Sequence, residues 1–260
     1  MKTVMEIKNL NIAFGGLKAV QNVSFNILEN ELLGLIGPNG AGKTTVFNMM
    51  TGFYCPDSGE INFSNQSLNE KSPDEINRLG ISRTFQNIRL FNKLTVLENV
   101  LIALQQKEKL GWFESIFQSQ SYLQKEADLK KRSLELLKIF DLDKYSEEFA
   151  VNLPYGRQRK LEIVRALASQ PKLLILDEPA AGMNISETDE LKKLILFIKK
   201  KFNLTVLLIE HDMKLVMNLC DRIVVLNQGQ KIAEGVPSQI KANEDVIVAY
   251  LGQRSRKAQS

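Results

Sequence analysis

The chain has 260 residues and a net charge of +4, from 34 Lys and Arg against 30 Asp and Glu, and 44% of it is apolar. That size suits one large domain or two closely joined ones with an ordinary globular core, and the small charge is weak support for a nucleic-acid binder. The longest apolar runs, such as Leu173 to Leu176 and Val206 to Ile209, fall far short of the ~20 residues that a membrane-spanning helix needs. The first residues alternate polar and apolar, unlike a secretion signal. Cys55 and Cys220 stand far apart with no C-x-x-C pair, which suits a reducing cytoplasm and argues against a metal site.

Residues 4–36 read as β structure. Val23, Phe25 and Ile27 alternate with polar neighbours, the period of a half-buried strand. Phe14 closes the first strand ahead of Gly15-Gly16. An aromatic there has two readings: a platform for a nucleotide base, worth ~1–3 kcal/mol by analogy with stacked bases, or a plain core residue. Leu32 to Ile36 is a buried strand, and Val46 to Met50 continues as a helix. Between them, Gly37-Pro38-Asn39-Gly40-Ala41-Gly42-Lys43-Thr44-Thr45 fits G-x-x-x-x-G-K-[ST]. Glycines let backbone N–H groups curl around anionic oxygens, and a helix N-terminus adds partial positive charge. Lys43 is then expected on the β- and γ-phosphates and the Thr44 hydroxyl on Mg²⁺.

Cys55-Pro56-Asp57-Ser58-Gly59 is turn chemistry. Ser72-Pro73-Asp74-Glu75 is a capping box with Pro at the first helical position, and Gly80 closes that short helix. Ile81 to Phe85 reads as a strand ending at Gln86. Thr95 and Glu98 form a second capping box, with Leu97, Leu101 and Leu104 following at helical spacing. From there to 168 the pattern is helical, apart from a loop at 151–156. Trp112, Phe113, Ile116 and Phe117 make one apolar helix face, read as packing before partner contact. From Lys172 the α/β rhythm returns. Leu173 to Leu176 is a strand, Ser186 is expected to cap a helix with Asp189 at its third position, and Thr205 to Ile209 and Ile223 to Leu226 are strands. Gln228-Gly229 turns the chain into Lys231 to Ala233, and the basic tail Arg254 to Lys257 reads as frayed. A helical segment is thus inserted into a nucleotide-binding α/β core.

Two strand ends carry further chemistry. Leu173 to Leu176 runs into Asp177-Glu178. Acids at the end of a buried strand are costly unless they meet a cation. A nucleotide-bound Mg²⁺ supplies one, with Asp177 on the metal and Glu178 polarising the attacking water, a role worth ~10²–10⁴ in rate. His211, the chain's single histidine, follows the strand Thr205 to Ile209 within Glu210-His211-Asp212. A lone histidine is usually structural, but the carboxyl ends of such strands are where open α/β sheets bind ligands, so a hydrogen bond to the γ-phosphate is the second reading.

The ordered set of glycine loop, Gln86, Leu153 to Ala168, Asp177-Glu178 and His211 resembles the ATP-binding subunit of an ABC transporter across nearly the whole chain. Residues 81–91, Leu153 to Arg157, Pro179 to Asn184, Ala233 to Gly235 and Ala249 to Gly252 are similar to the LivG type, the ATPase of branched-chain amino-acid importers. The resemblance implies an α/β fold: a P-loop NTPase (RecA-like) core with an N-terminal antiparallel β subdomain and an inserted α-helical subdomain. It implies a single ATP-binding domain over 1–260, with 1–94 and 169–260 as core and 95–168 as helical subdomain. ATP and Mg²⁺ are the implied cofactors. The implied nucleotide contacts are Phe14, Gly37 to Thr45 and, from a second copy or a sister ATPase arranged head to tail, Tyr155, Gly156 and Arg157. Glu178, His211 and Gln86 are the implied catalytic residues, and Thr44, Gln86 and Asp177 the metal ligands. Asn184 falls in a loop that crosses the dimer interface. The implied partners are membrane permease subunits and, indirectly, a periplasmic or extracellular solute-binding protein, with no nucleic acid. The implied location is the cytoplasmic face of the cell membrane.

Two departures stand out. The general ABC signature has Ser-Gly-Gly-Gln where this chain has Pro154-Tyr155-Gly156-Arg157. Pro154 supplies neither hydroxyl nor N–H, so one or two phosphate donors are missing, each worth ~1.5–3 kcal/mol. The LivG type keeps Tyr-Gly but continues with Gln. Arg157 has two readings, a charge near the γ-phosphate or a solvent-facing side chain. Rival functions are an ATPase of a lipid exporter, a soluble ABC ATPase of repair or translation, and a GTPase or small-molecule kinase. The repair and translation types carry coiled-coil insertions or fused halves, which this chain lacks. Asn92-Lys93-Leu94-Thr95 misses the Asp of the guanine motif.

Overall fold

Strands β1 (Thr3–Phe14) and β2 (Leu17–Leu28) form a hairpin whose inward residues Ile7, Leu10, Val23, Phe25 and Ile27 are buried. Gly15 and Gly16 both take positive φ, 52° and 86°, as a two-residue turn of this hand requires. The hairpin joins β4 (Ser58–Phe63) and β5 (Gln66–Ser67) in an antiparallel sheet of order β2-β1-β4-β5. This is the N-terminal β layer that the resemblance implied.

A second sheet holds β3 (Leu32–Ile36), β6 (Ile81–Arg83), β7 (Leu173–Asp177), β8 (Thr205–Ile209), β9 (Arg222–Asn227) and β10 (Gln230–Gly235), in the order β10-β9-β3-β8-β7-β6. β9, β3, β8 and β7 run parallel, and every residue of β3, β7 and β8 is buried. Continuous apolar runs, rather than alternation, are what strands covered on both faces require. Helix α1 (Lys43–Met50) puts Val46, Phe47, Met49 and Met50 into one core with residues of both sheets.

The computed structural model describes residues 2–106 and 120–257, so the apolar face of Trp112, Phe113, Ile116 and Phe117 lies outside it. The chain divides into two compact units, residues 1–81 with 172–260, and residues 82–171. The second unit is built on α3 (Val96–Gln105), α4 (Gln120–Ile139) and α5 (Tyr155–Ala168), with α3 packed on the other two. It takes in residues 82–94 as well as the helical stretch 95–168. Asn99 explains part of this: buried, it accepts from Phe91 N–H and donates to Phe91 and Leu94 carbonyls.

Both expected capping boxes are present. Ser72 caps α2 (Pro73–Leu79), which Gly80 ends in the left-handed region, and Thr95 with Glu98 caps α3. Four expectations are corrected. The helix expected from Ser186 is α6 (Ile185–Phe202), capped two residues earlier by Asn184 with Glu187. Asn184 Oδ1 accepts Glu187 N–H at 3.0 Å and Glu187 answers the Asn184 N–H at 2.9 Å. A Glu at the third position reaches back where Asp189 is too short; Asp189 pairs with Lys192 instead. The strand expected over 81–85 stops at Arg83, because Phe85 N–H is taken by Glu162 Oε1 at 3.1 Å. The loop at 151–156 is mostly helical: a 3₁₀ turn covers Ala150–Asn152 and α5 has begun by Tyr155. The tail does not fray at Arg254, since a C-terminal helix, Glu244–Lys257, runs through it. Before it come α7 (Met213–Leu219) and α8 (Pro237–Ala242), which makes this last helix α9.

Candidate nucleotide site

The loop from Gly37 to Lys43 is shaped by contacts that exclude side chains. A Cβ on Gly37 would meet Leu226 O at 2.2 Å, and one on Gly42 would meet Ala19 O at 2.7 Å. Gly40 and Gly42 take φ of 79° and 97°, a region L residues rarely visit. Gly42 is the N-cap of α1, with its carbonyl accepting Val46 N–H at 2.9 Å. Lys43 is 7% exposed, and its Nζ donates to the carbonyls of Gly37 at 2.7 Å and Pro38 at 3.1 Å. Burial lowers its pKa, while the charges of Glu178, Asp177 and Glu210 act in the opposite sense. A buried cation is thus aimed into the loop opposite three carboxylates.

Beside the loop lies a cleft of about 820 Å³, lined by Phe14, Lys18, Gly40 to Thr45 and Gln228 among others. Phe14 is 44% exposed, so it is not a core residue. Its ring meets Tyr54 edge-on, with centroids 5.2 Å apart. Thr44 is exposed and Thr45 half-buried at the start of α1.

Asp177 ends β7 at 8% exposure. Glu178 follows with φ +43°, an uncommon conformation for a non-glycine residue, fixed by Glu178 N–H donating to Ile209 O at 2.9 Å. His211 Nδ1 stands 3.3 Å from Glu178 Oε1. The neighbouring β7 and β8 therefore bring Glu178 and His211 together, although 33 positions separate them in the chain. Glu210, at the end of β8, is 1% exposed. Burial raises its pKa, opposed by the backbone N–H groups of Ala180 and His211 that bond to it. Sequence reasoning passed over Glu210 as a mere neighbour of His211. The available signal was the one used for Asp177, an acid at the end of an apolar strand.

In the second unit, Gln86 is exposed while its carbonyl accepts from Arg159 Nη2 at 2.8 Å. Arg159 is fully buried in α5. Its Nη1 bonds Glu162 at 2.7 Å and Phe85 O at 2.6 Å, and Glu162 accepts the Phe85 and Arg89 N–H groups. This ion pair ties the Gln86 segment to the helix that follows the signature, and sequence reasoning missed it. Pro154 is the N-cap of α5 with no side-chain bond, as its chemistry dictates. The Arg157 guanidinium lies 4.3 Å over the Tyr145 ring. Tyr155 is 46% exposed and Gly156 half-buried.

The ABC transporter family profile matches residues 20–181, and a profile of branched-chain amino acid ATP-binding cassette transporters matches residues 230–255. The chain belongs to the ABC transporter family. It is 47% identical to the high-affinity branched-chain amino acid transport ATP-binding protein LivG of Escherichia coli K12, over 96% of this chain and 98% of that one. It is 44% identical to BraF of Pseudomonas aeruginosa, a protein of the same description, over 97% and 99%. Among solved structures, an ABC cassette in its ADP conformation superposes with a TM-score of 0.84 at 31% identity, covering 97% of this chain and all of that one. A cassette described as dimeric, in a post-hydrolysis state with ADP and phosphate, has a TM-score of 0.74 at 27% identity over 90% and 98%. The fold class and the resemblance to an ABC transport ATPase are thereby borne out. Among the described residues, no helix is long and apolar enough to cross a membrane, and no three His, Cys, Asp or Glu side chains cluster as a metal site.

Proposed function

We propose that this ABC ATPase hydrolyses ATP at the Lys43 loop to power uptake of branched-chain amino acids through separate permease subunits, from the cytoplasmic face of the membrane. The observation that carries the site is the convergence of Lys43, Asp177, Glu178 and His211 beyond the carboxyl ends of the parallel strands β3, β7 and β8, where such sheets bind ligands. Lys43 exchanges its two loop carbonyls for the β- and γ-phosphate oxygens, which keeps the buried ammonium fully bonded. Phe14 stacks on the base from the rim of the cleft. Glu178 orients and deprotonates the attacking water, and His211, held against Glu178, senses the γ-phosphate.

Thr44 and Asp177 are hard oxygen donors of the kind Mg²⁺ takes, and would hold the ion together with the nucleotide. The ion supplies charge neutralisation on the β- and γ-oxygens. Two copies, or this chain and a sister ATPase, pair head to tail, so that Tyr155 and Gly156 of one face the ATP of the other. The N-terminus of α5 adds positive potential at that contact.

The test is purification of the tagged chain from its own membranes, followed by transport in proteoliposomes. Co-purifying permease subunits and ATP-dependent uptake of leucine, isoleucine or valine support the proposal. A complex that moves lipid instead, or a chain recovered with ribosomes or DNA, overturns it.

A further inference from the structure

We propose that Glu210 is a positioning residue for hydrolysis, one buried carboxylate that holds both the turn after Glu178 and the loop that carries His211. The inference rests on Glu178 being the base, as proposed above.

Burying a carboxylate is costly unless its oxygens are bonded. Glu210 divides its two oxygens between different segments. Oε1 accepts the N–H of Ala180, 30 positions earlier, at 3.1 Å, and Oε2 accepts the N–H of His211 at 3.2 Å. The first of these bonds lands on a strained turn. Glu178 sits at φ +43°, and a side chain in that region persists only where its surroundings over-determine it. Three bonds do so here: Glu178 N–H to Ile209 O at 2.9 Å, Ala181 N–H to Glu178 O at 3.1 Å, and Ala180 N–H to Glu210. Two of the three are anchored on the consecutive residues Ile209 and Glu210 at the end of β8.

The second bond orients the next residue. With its backbone N–H fixed by Glu210, His211 presents Nδ1 to Glu178 Oε1 at 3.3 Å, while Glu210 Oε2 stays at 4.0 Å from that nitrogen, beyond hydrogen-bond range. Glu210 therefore bonds backbone on both sides and no reacting atom. It sets the distance between the base and its histidine partner. A glutamine in its place keeps one acceptor oxygen but turns an NH₂ toward a backbone N–H, so one of the two bonds is lost. An aspartate is one methylene short and cannot span both.

The experiment compares Mg-ATP hydrolysis by the full chain, by Glu210→Gln and by Glu210→Asp, alongside nucleotide affinity and melting temperature. The expected result is a fall in kcat of about 10- to 100-fold, the scale of a misplaced catalytic group, with KM and the ATP dissociation constant within about 2-fold of the parent. A second arm adds Glu210→Gln to Glu178→Gln. If Glu210 acts through Glu178, the double variant is no slower than Glu178→Gln alone. Parent-like kcat in Glu210→Gln beside an inactive Glu178→Gln overturns this inference and leaves the base intact. Parent-like turnover in Glu178→Gln removes the base itself. Weakened ATP binding at unchanged kcat overturns the positioning role, as does an additive double variant.

Discussion

In the proposed mechanism Lys43 and Glu178 divide the work, one binding ATP and the other serving its hydrolysis. Lys43 is a buried cation with two carbonyl partners inside its own loop, so the loop is already shaped around an ammonium before any phosphate arrives. Glu178 acts on that ammonium only through its charge, and its Oε1 stands 3.3 Å from His211 Nδ1. The two substitutions should therefore separate binding from chemistry. Lys43→Ala is expected to raise the ATP dissociation constant by about 10- to 100-fold, the loss of one charge-assisted bond. Glu178→Gln is expected to bind ATP as the parent does while kcat falls by about 10²- to 10⁴-fold. Fluorescent-nucleotide titration and steady-state hydrolysis measure both. Unchanged affinity in the first variant, or unchanged turnover in the second, contradicts the assignment. Both residues were legible in the sequence, because a glycine loop and an acid pair after an apolar run have few other uses. Glu210 was less so, since its two partners, Ala180 and His211, are set by the neighbouring β7 and β8 rather than by spacing.

At the scale of elements, patterns governed by local chemistry were read well. Capping boxes at Ser72 and Thr95, the strands Thr205–Ile209 and Leu173–Asp177 and the turn at Gln228-Gly229 all follow from residues a few positions apart. Long-range bonds overrode local pattern elsewhere. The strand from Ile81 ends early because Glu162 takes the Phe85 N–H, 77 positions away. That glutamate belongs to the least legible feature of the chain, the buried Arg159–Glu162 pair. In sequence, an Arg and a Glu three apart on a charged helix look like a solvated face. In the fold, Arg159 is fully buried and holds the carbonyls of Phe85 and Gln86. Arg159→Ala takes the buried ion-pair partner from Glu162 and the donors from the Phe85 and Gln86 carbonyls, and should lower unfolding free energy by about 3–5 kcal/mol. Urea unfolding followed by circular dichroism measures it, and a loss below about 1 kcal/mol would show that the pair is not structural.

For the whole molecule, the unusual feature is the start of α5. Pro154 offers neither hydroxyl nor N–H at the cap, and the Arg157 guanidinium lies over Tyr145. In the head-to-tail pair proposed above, the cross-copy contact rests on the helix N-terminus with Tyr155 and Gly156. A segment with fewer donors still closes on ATP if hydrolysis is slow enough for the closed pair to accumulate, because ATP shifts the equilibrium by its preference for that state. Glu178→Gln provides that condition. Analytical ultracentrifugation of this variant with saturating Mg-ATP is the most direct measurement. The account predicts a dimer holding two ATP molecules that returns to monomer with ADP, or when Lys43→Ala is added. A nucleotide-saturated Glu178→Gln that sediments as a monomer at every protein concentration would contradict it.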